Sequence, residues 1–169
     1  MTRNSTSTAK DHALIGSYVK PGGMRALPYS TDSVNREKGG FSYARVSDLF
    51  GDTKKPETHA MGSNWAMALI QMYWKLVDKH GFNPDWLDST SRNGNIVALQ
   101  LVLAGMAVQP CNPTMIEGRD AILEADNIYY RGQHVCLIWS AFVDLGFGDK
   151  AVSEVYANDY SMPKICINK

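Results

Sequence analysis

A mainly α-helical fold, a bundle around one buried central helix with an irregular amino-terminal third, follows from three observations. Residues 57–82, ETHAMGSNWAMALIQMYWKLVDKHGF, are apolar around most of a helix's circumference. Three further segments with helical periodicity follow. Strand-type alternation is absent between them, while residues 1–56 are broken repeatedly by Gly and Pro. A length of 169 residues suits one domain with a real core, so we expect a single domain over residues 1–169. Its parts are a loop-rich segment (1–56), a helical bundle (57–150) and a carboxyl-terminal tail (151–169).

Residues Met1 to Asp32 are polar and carry Pro21, Gly22, Gly23 and Pro28, which predicts loop with at most a short helical turn around His12 to Val19. Such a segment needs something to lie against. Asn4-Ser5-Thr6 is a glycosylation sequon. More irregular chain runs from Ser33 to Pro56, with Phe41, Tyr43, Val46, Leu49 and Phe50 as candidate anchors. In the central helix, Met61, Trp65, Leu69, Met72, Leu76 and Val77 recur at helical spacing, and Gly81 follows the basic pair Lys79-His80 as a stop. Asn83-Pro84 turns the chain. The next helix is expected over Ile96 to Val108, with Ile96, Leu99, Val102, Leu103 and Met106 inward and Pro110 ending it.

Asn112-Pro113 reads as cap and first turn of a third helix, with Met115, Ile116, Ile122 and Leu123 inward and Glu117, Arg119, Asp120 and Glu124 toward water. A fourth, from about Gln133 to Leu145, turns Val135, Ile138, Trp139, Phe142 and Val143 inward and stops at Gly146. The remainder is expected to be a tail or a short helix near Ala151 to Tyr156.

Composition excludes some functions. The 17 basic residues equal the 17 acidic ones, which gives no electrostatic case for nucleic acid or an anionic membrane surface. No run of about 20 apolar residues exists to span a bilayer, and the polar start MTRNSTSTAKDH contains no apolar signal segment. Among the four histidines, His12, His59, His80 and His134, none lies four residues from another, and there is no HExxH, so no self-contained zinc site is expected. No GxSxG elbow is present. The cysteines Cys111, Cys136 and Cys166 include no CxxC pair; one bridge plus an odd thiol and three reduced thiols both stand. His59 precedes the central helix amid small residues and could face a cleft; Arg25 follows Gly22-Gly23 in a loop, where a guanidinium could bind a carbonyl or carboxylate. On residue type alone a structural role is the commoner fate of both.

The strings GGMRALPYSTD (Gly22 to Asp32), ETHAMGSNWA, YWKLVDKHGF, ALQLVLAGMAVQPCNPTMIEGRDAILEAD (Ala98 to Asp126) and CLIWSAFVDLGFG occur in an order and spacing that resembles the fungalysins. These are secreted fungal zinc metallo-endopeptidases of the thermolysin-like type, and the resemblance is to their carboxyl-terminal half. It implies a thermolysin-like carboxyl-terminal helical domain and secretion. It also implies that His59 stabilises the oxyanion of the tetrahedral intermediate, that Arg25 holds the substrate carbonyl, and that Cys111 pairs with Cys136.

In the family, zinc is the cofactor and a peptide or protein is the substrate. The HExxH helix and the glutamate-bearing helix after it would lie ahead of Met1 in this register. The resemblance therefore implies an amino-terminal zinc-binding half as partner, no metal ligands in this chain, and no activity alone. Thr58 stands where the family has valine and Ser63 where it often has glutamate. Glu57 and Asp52 are the candidates to orient His59. The alternative is a stand-alone pseudopeptidase acting as a binding or inhibitory module.

Overall fold

A computed structural model describes residues 6–25, 27–31, 40–49 and 57–167. The expectations on Asn4, Phe50, Asp52 and the Leu49 side chain lie outside the described residues. In chain order the elements are a 3-10 turn (Ala44–Leu49), α1 (Thr58–His80), α2 (Gly94–Val108), α3 (Met115–Tyr130), α4 (Val135–Val143) and a final 3-10 turn (Lys164–Cys166). Among the described residues the only β-type pairings are two isolated bridges, Ala13 with Tyr29 and Phe147 with Asp159.

The central position of α1 is as expected: α2 and α4 both pack on it, and α3 packs on α2. Met67, Ala68, Met72 and Leu76 of α1 meet Val97, Ala98 and Leu101 of α2 and Ile138, Ala141 and Phe142 of α4 in one core. Its Gly81 has a positive φ of 75° and returns its N–H to the Val77 carbonyl. The loop after it is held by Asn95, whose side chain accepts from the Asn83 N–H and donates to the Asn83 carbonyl.

The face that α2 buries differs in part from the expected one: Ile96 is buried and Val102 packs against the core as expected. Leu99, Leu103 and Met106 are exposed, the latter two by 55% and 54%, while Val97, Ala98, Leu101 and Gly105 are buried. The reason is backbone approach. An ideal Cβ on Gly94 would lie 2.1 Å from the Leu76 carbonyl oxygen of α1, and one on Gly105 2.9 Å from the Ile122 side chain of α3. The small side of α2 is thus wedged between two helices. A helix apolar on every side gives periodicity no means of choosing.

Two corrections concern α3. Its N-cap is Thr114, not Asn112: the Thr114 hydroxyl accepts from the Glu117 N–H, and the Glu117 carboxylate accepts from the Thr114 N–H, a complete capping box. Asn112 instead takes a left-handed φ of 53° in the preceding turn. Arg119, expected in water, is only 4% exposed. Its Nη1 donates to the carbonyls of Phe147 and Gly148 at 3.0 and 2.5 Å, and its guanidinium lies 4.6 Å from the centre of the Trp139 ring. The stretch Phe147–Gly148 that follows α4 thus converts a surface position into a buried clamp.

Around Ala151 to Tyr156 there is turn rather than helix, and the tail is held by Asp159, which accepts from the Lys150 N–H at 2.8 Å and whose carbonyl accepts from the Gly148 N–H. The disulfide also departs from the expected Cys111–Cys136 pairing. Cys136 of α4 is bonded to Cys166 of the final turn, and Cys111 is a free, exposed thiol. The final turn packs on α4, which carries Cys166 to Cys136; Cys111 sits in the exposed α2–α3 connection.

The irregular segment lies against the bundle. Tyr43 is buried, donates its N–H to the Leu145 carbonyl, and donates its hydroxyl to the Val152 carbonyl at 2.7 Å. Around His12 to Val19, where loop with at most a short helical turn is expected, Ala13 pairs with Tyr29 and a single turn runs from Gly16 to Lys20.

Candidate functional site

The first turn of α1 is built around Glu57. Its side chain caps the helix, accepting from the backbone N–H of His59 at 3.1 Å and of Ala60 at 2.7 Å. The same carboxylate lies 2.7 Å from His59 Nδ1. Three hydrogen bonds to the ionised form lower the carboxyl below its ordinary 4.5, that from the His59 ring first and those from the two backbone N–H groups after it. Glu57, a candidate to orient His59, is therefore in contact with its ring.

The His59 side chain is 74% exposed, so the pair contributes little to stability and acts on ring orientation. With Nδ1 turned to the carboxylate, Nε2 is the nitrogen presented outward. Behind the ring, Ser63 donates to the His59 carbonyl at 2.8 Å and Asn64 to the Ala60 carbonyl at 3.2 Å. Ser63 is buried and turned back on the helix, so it presents no charge beside the histidine. Gly62 is exposed with open space above it.

Arg25 sits at the end of a loop that needs its glycines: Gly22 and Gly23 have φ of 85° and 87°. The Met24 N–H bonds to the Ile15 carbonyl at 2.7 Å, and the Ala13–Tyr29 pairing closes the loop below it. Arg25 is half-buried, and its Nε is a buried donor with no hydrogen-bond partner. A buried guanidinium donor is costly to leave unmade. Tyr29 stacks on Phe41 at 5.5 Å, and the next N–H, that of Ser42, bonds to Asn64 of α1 at 3.1 Å. By these contacts the loop carrying Arg25 is tied to the half of α1 that carries His59.

Among the described residues, no three His, Cys, Asp or Glu side chains converge as metal ligands would. None of the described helices is long and apolar enough to cross a membrane. The residue that sequence reasoning left undecided, Glu57, carries only a weak signal, since a glutamate is not among the favoured N-cap residues.

Comparison with known proteins matches these residues to one family. The family model for fungalysin metallopeptidases (M36) covers residues 1–151. The extracellular metalloproteinase mep of Aspergillus flavus is 40% identical over 136 residues, 78% of this chain and 20% of its own length. Extracellular metalloproteinase 10 of Coccidioides posadasii is 39% identical over 152 residues, 86% of this chain and 23% of its own. An extracellular metalloproteinase of Pyrenophora tritici-repentis is 36% identical over 174 residues, 97% of this chain and 25% of its own. The chain thus spans about a fifth to a quarter of the length of these relatives. With a family match over most of its residues, the chain belongs to the fungalysin metallopeptidase family.

Proposed function

We propose that this chain is the carboxyl-terminal helical lobe of a secreted fungalysin-type zinc metallo-endopeptidase, acting on peptide or protein substrates together with an amino-terminal zinc-binding half. The observation that carries this reading is the exposed His59 ring held on a carboxylate at 2.7 Å in the first turn of the central helix. Family membership and the extracellular relatives support secretion and the substrate class.

Zinc, with ligands outside this chain, supplies the activation of water; the residues here supply what surrounds the reacting carbonyl. His59, with Nδ1 turned to Glu57, donates from Nε2 to the oxyanion that develops as the carbonyl becomes tetrahedral. Arg25 donates to a substrate carbonyl next to the scissile bond, which gives its orphaned Nε a partner. Donors aimed at charge that appears only in the transition state raise kcat rather than substrate affinity. The chain alone, lacking metal and general base, is expected to be inactive.

The test is a chimera in which this chain replaces the matching region of the Aspergillus flavus relative. Metal-dependent peptidase activity is expected. His59→Ala should lower kcat about a hundredfold with little change in KM. Unchanged kcat in that variant, or metal-dependent cleavage of casein by the isolated chain, would overturn the proposal.

A further inference from the structure

At the other end of α1 lies a second polar constellation. His134, the residue before α4, is 3% exposed, and Asp126 of α3 is fully buried. Both Asp126 oxygens are committed to His134: Oδ2 accepts its backbone N–H at 2.9 Å and Oδ1 lies 2.7 Å from Nδ1. The ring nitrogen left over is Nε2, and His134 lines an open cavity of about 400 Å³ where the ends of α1 and α3 meet the loop after α1.

The lining of that cavity contains arginines and histidines but no carboxylate. His80 stands edge-to-face with His134 at 5.0 Å, and Tyr130 does the same at 4.9 Å. Arg92 is held over the Tyr130 ring at 5.1 Å, and the Tyr130 hydroxyl is anchored on Gln100. A guanidinium fixed by its face presents its N–H fork at the edge, the geometry that grips an oxyanion. Arg131 borders the same space at the α3 cap.

Helix dipoles do not account for the set. Basic residues at the ends of α1 and α3 are ordinary complements to those termini. Arg92, however, lies in the loop between α1 and α2, and His134 lies ahead of α4. The His80 imidazole is pushed below its ordinary 6.5, by burial first and then by His134 and Lys79.

We propose that the cavity bounded by His80, Arg92, Arg131 and His134 binds an oxyanion, either a phosphate-type group or a carboxylate. It is distinct from the His59 end of α1 and does not depend on the peptidase reading. Buried His134 and the stacked Arg92 form the fixed wall; Arg131 closes the exposed side.

The test is imidazole ¹H–¹⁵N spectroscopy of the full chain titrated with sodium phosphate, sodium acetate and sodium chloride at matched ionic strength. Saturable movement of the His134 and His80 signals with phosphate or acetate is expected, with the more effective salt identifying the ligand type and the His12 signal as internal control. Arg92→Gln and Arg131→Asn, the latter chosen because Arg131 has a left-handed φ of 55°, should each weaken binding about tenfold. Movement equal to that in chloride, no movement with either oxyanion, or unchanged affinity in both variants overturns the site. A response to zinc chloride without a response to either oxyanion overturns it in favour of a cation.

Discussion

Replacing Cys166 by serine separates the disulfide that the structure shows from the one the family resemblance implied. The Cys136–Cys166 bond closes a loop of sequence separation 30. In the chain-entropy account, opening a loop of that length returns about 12 cal/mol/K to the unfolded chain, or about 3.6 kcal/mol at room temperature. Against a total stability of roughly 5–15 kcal/mol this is a large fraction. With a urea dependence of about 2 kcal/mol/M, the midpoint should fall by roughly 2 M.

A Cys111–Cys136 loop would have similar length, so the size of the effect does not discriminate; its location does. Cys111 is exposed and free, so Cys111→Ser should change stability by no more than about 0.5 kcal/mol. Thiol titration of the denatured, unreduced protein should find one reactive thiol in the parent chain, none after Cys111→Ser, and two after Cys166→Ser. A large loss of stability on Cys111→Ser with none on Cys166→Ser would refute the assignment.

A pair of glycine substitutions tests how α2 is seated. Gly94→Ala places a Cβ 2.1 Å from the Leu76 carbonyl oxygen and 2.3 Å from the Val77 nitrogen, both backbone of the buried central helix, and should cost about 3 kcal/mol or more in urea unfolding. Gly62→Ala, on the same central helix with nothing within 4 Å, should stabilise by about 0.5–1 kcal/mol. Equal effects at the two positions would contradict the close crossing of α1 and α2. The acid behaviour of the His59 turn follows from Glu57. Because the folded carboxyl is held below its ordinary 4.5, its contribution is fully present above that value and is lost as pH falls through the lower folded value. The His59 and Ala60 amide resonances should therefore titrate together below pH 4.5, and Glu57→Gln should abolish that step; a step persisting in the variant would assign it to another group.

Much of the helical layout is local and can be read along the chain. The 23 residues of α1, the stop at Gly81 and the inward face of α4 all appear in apolar spacing and breakers. The site is less legible. His59 and Arg25 stand out only through the resemblance, because one histidine and one arginine carry no pattern by themselves. Glu57 is within reach of local reasoning, being two residues from His59, but its hold on the ring is a choice of rotamer that spacing does not express.

What the sequence determined by itself is the succession of helices and the identity of the family, since both rest on near neighbours and on ordered strings. Which side of α2 is buried, why Arg119 lies inside, which thiol joins Cys136, and the meeting of Asp126 and His134 with His80 were decided by the tertiary structure. In each case the deciding partner is distant in the chain or set by a turn. Leu76 backbone meets Gly94, Phe147 and Gly148 carbonyls meet Arg119, and the tail carries Cys166 to α4. Periodicity reports how apolar each side of a helix is, and it says nothing of which neighbour can approach closely enough to use that side.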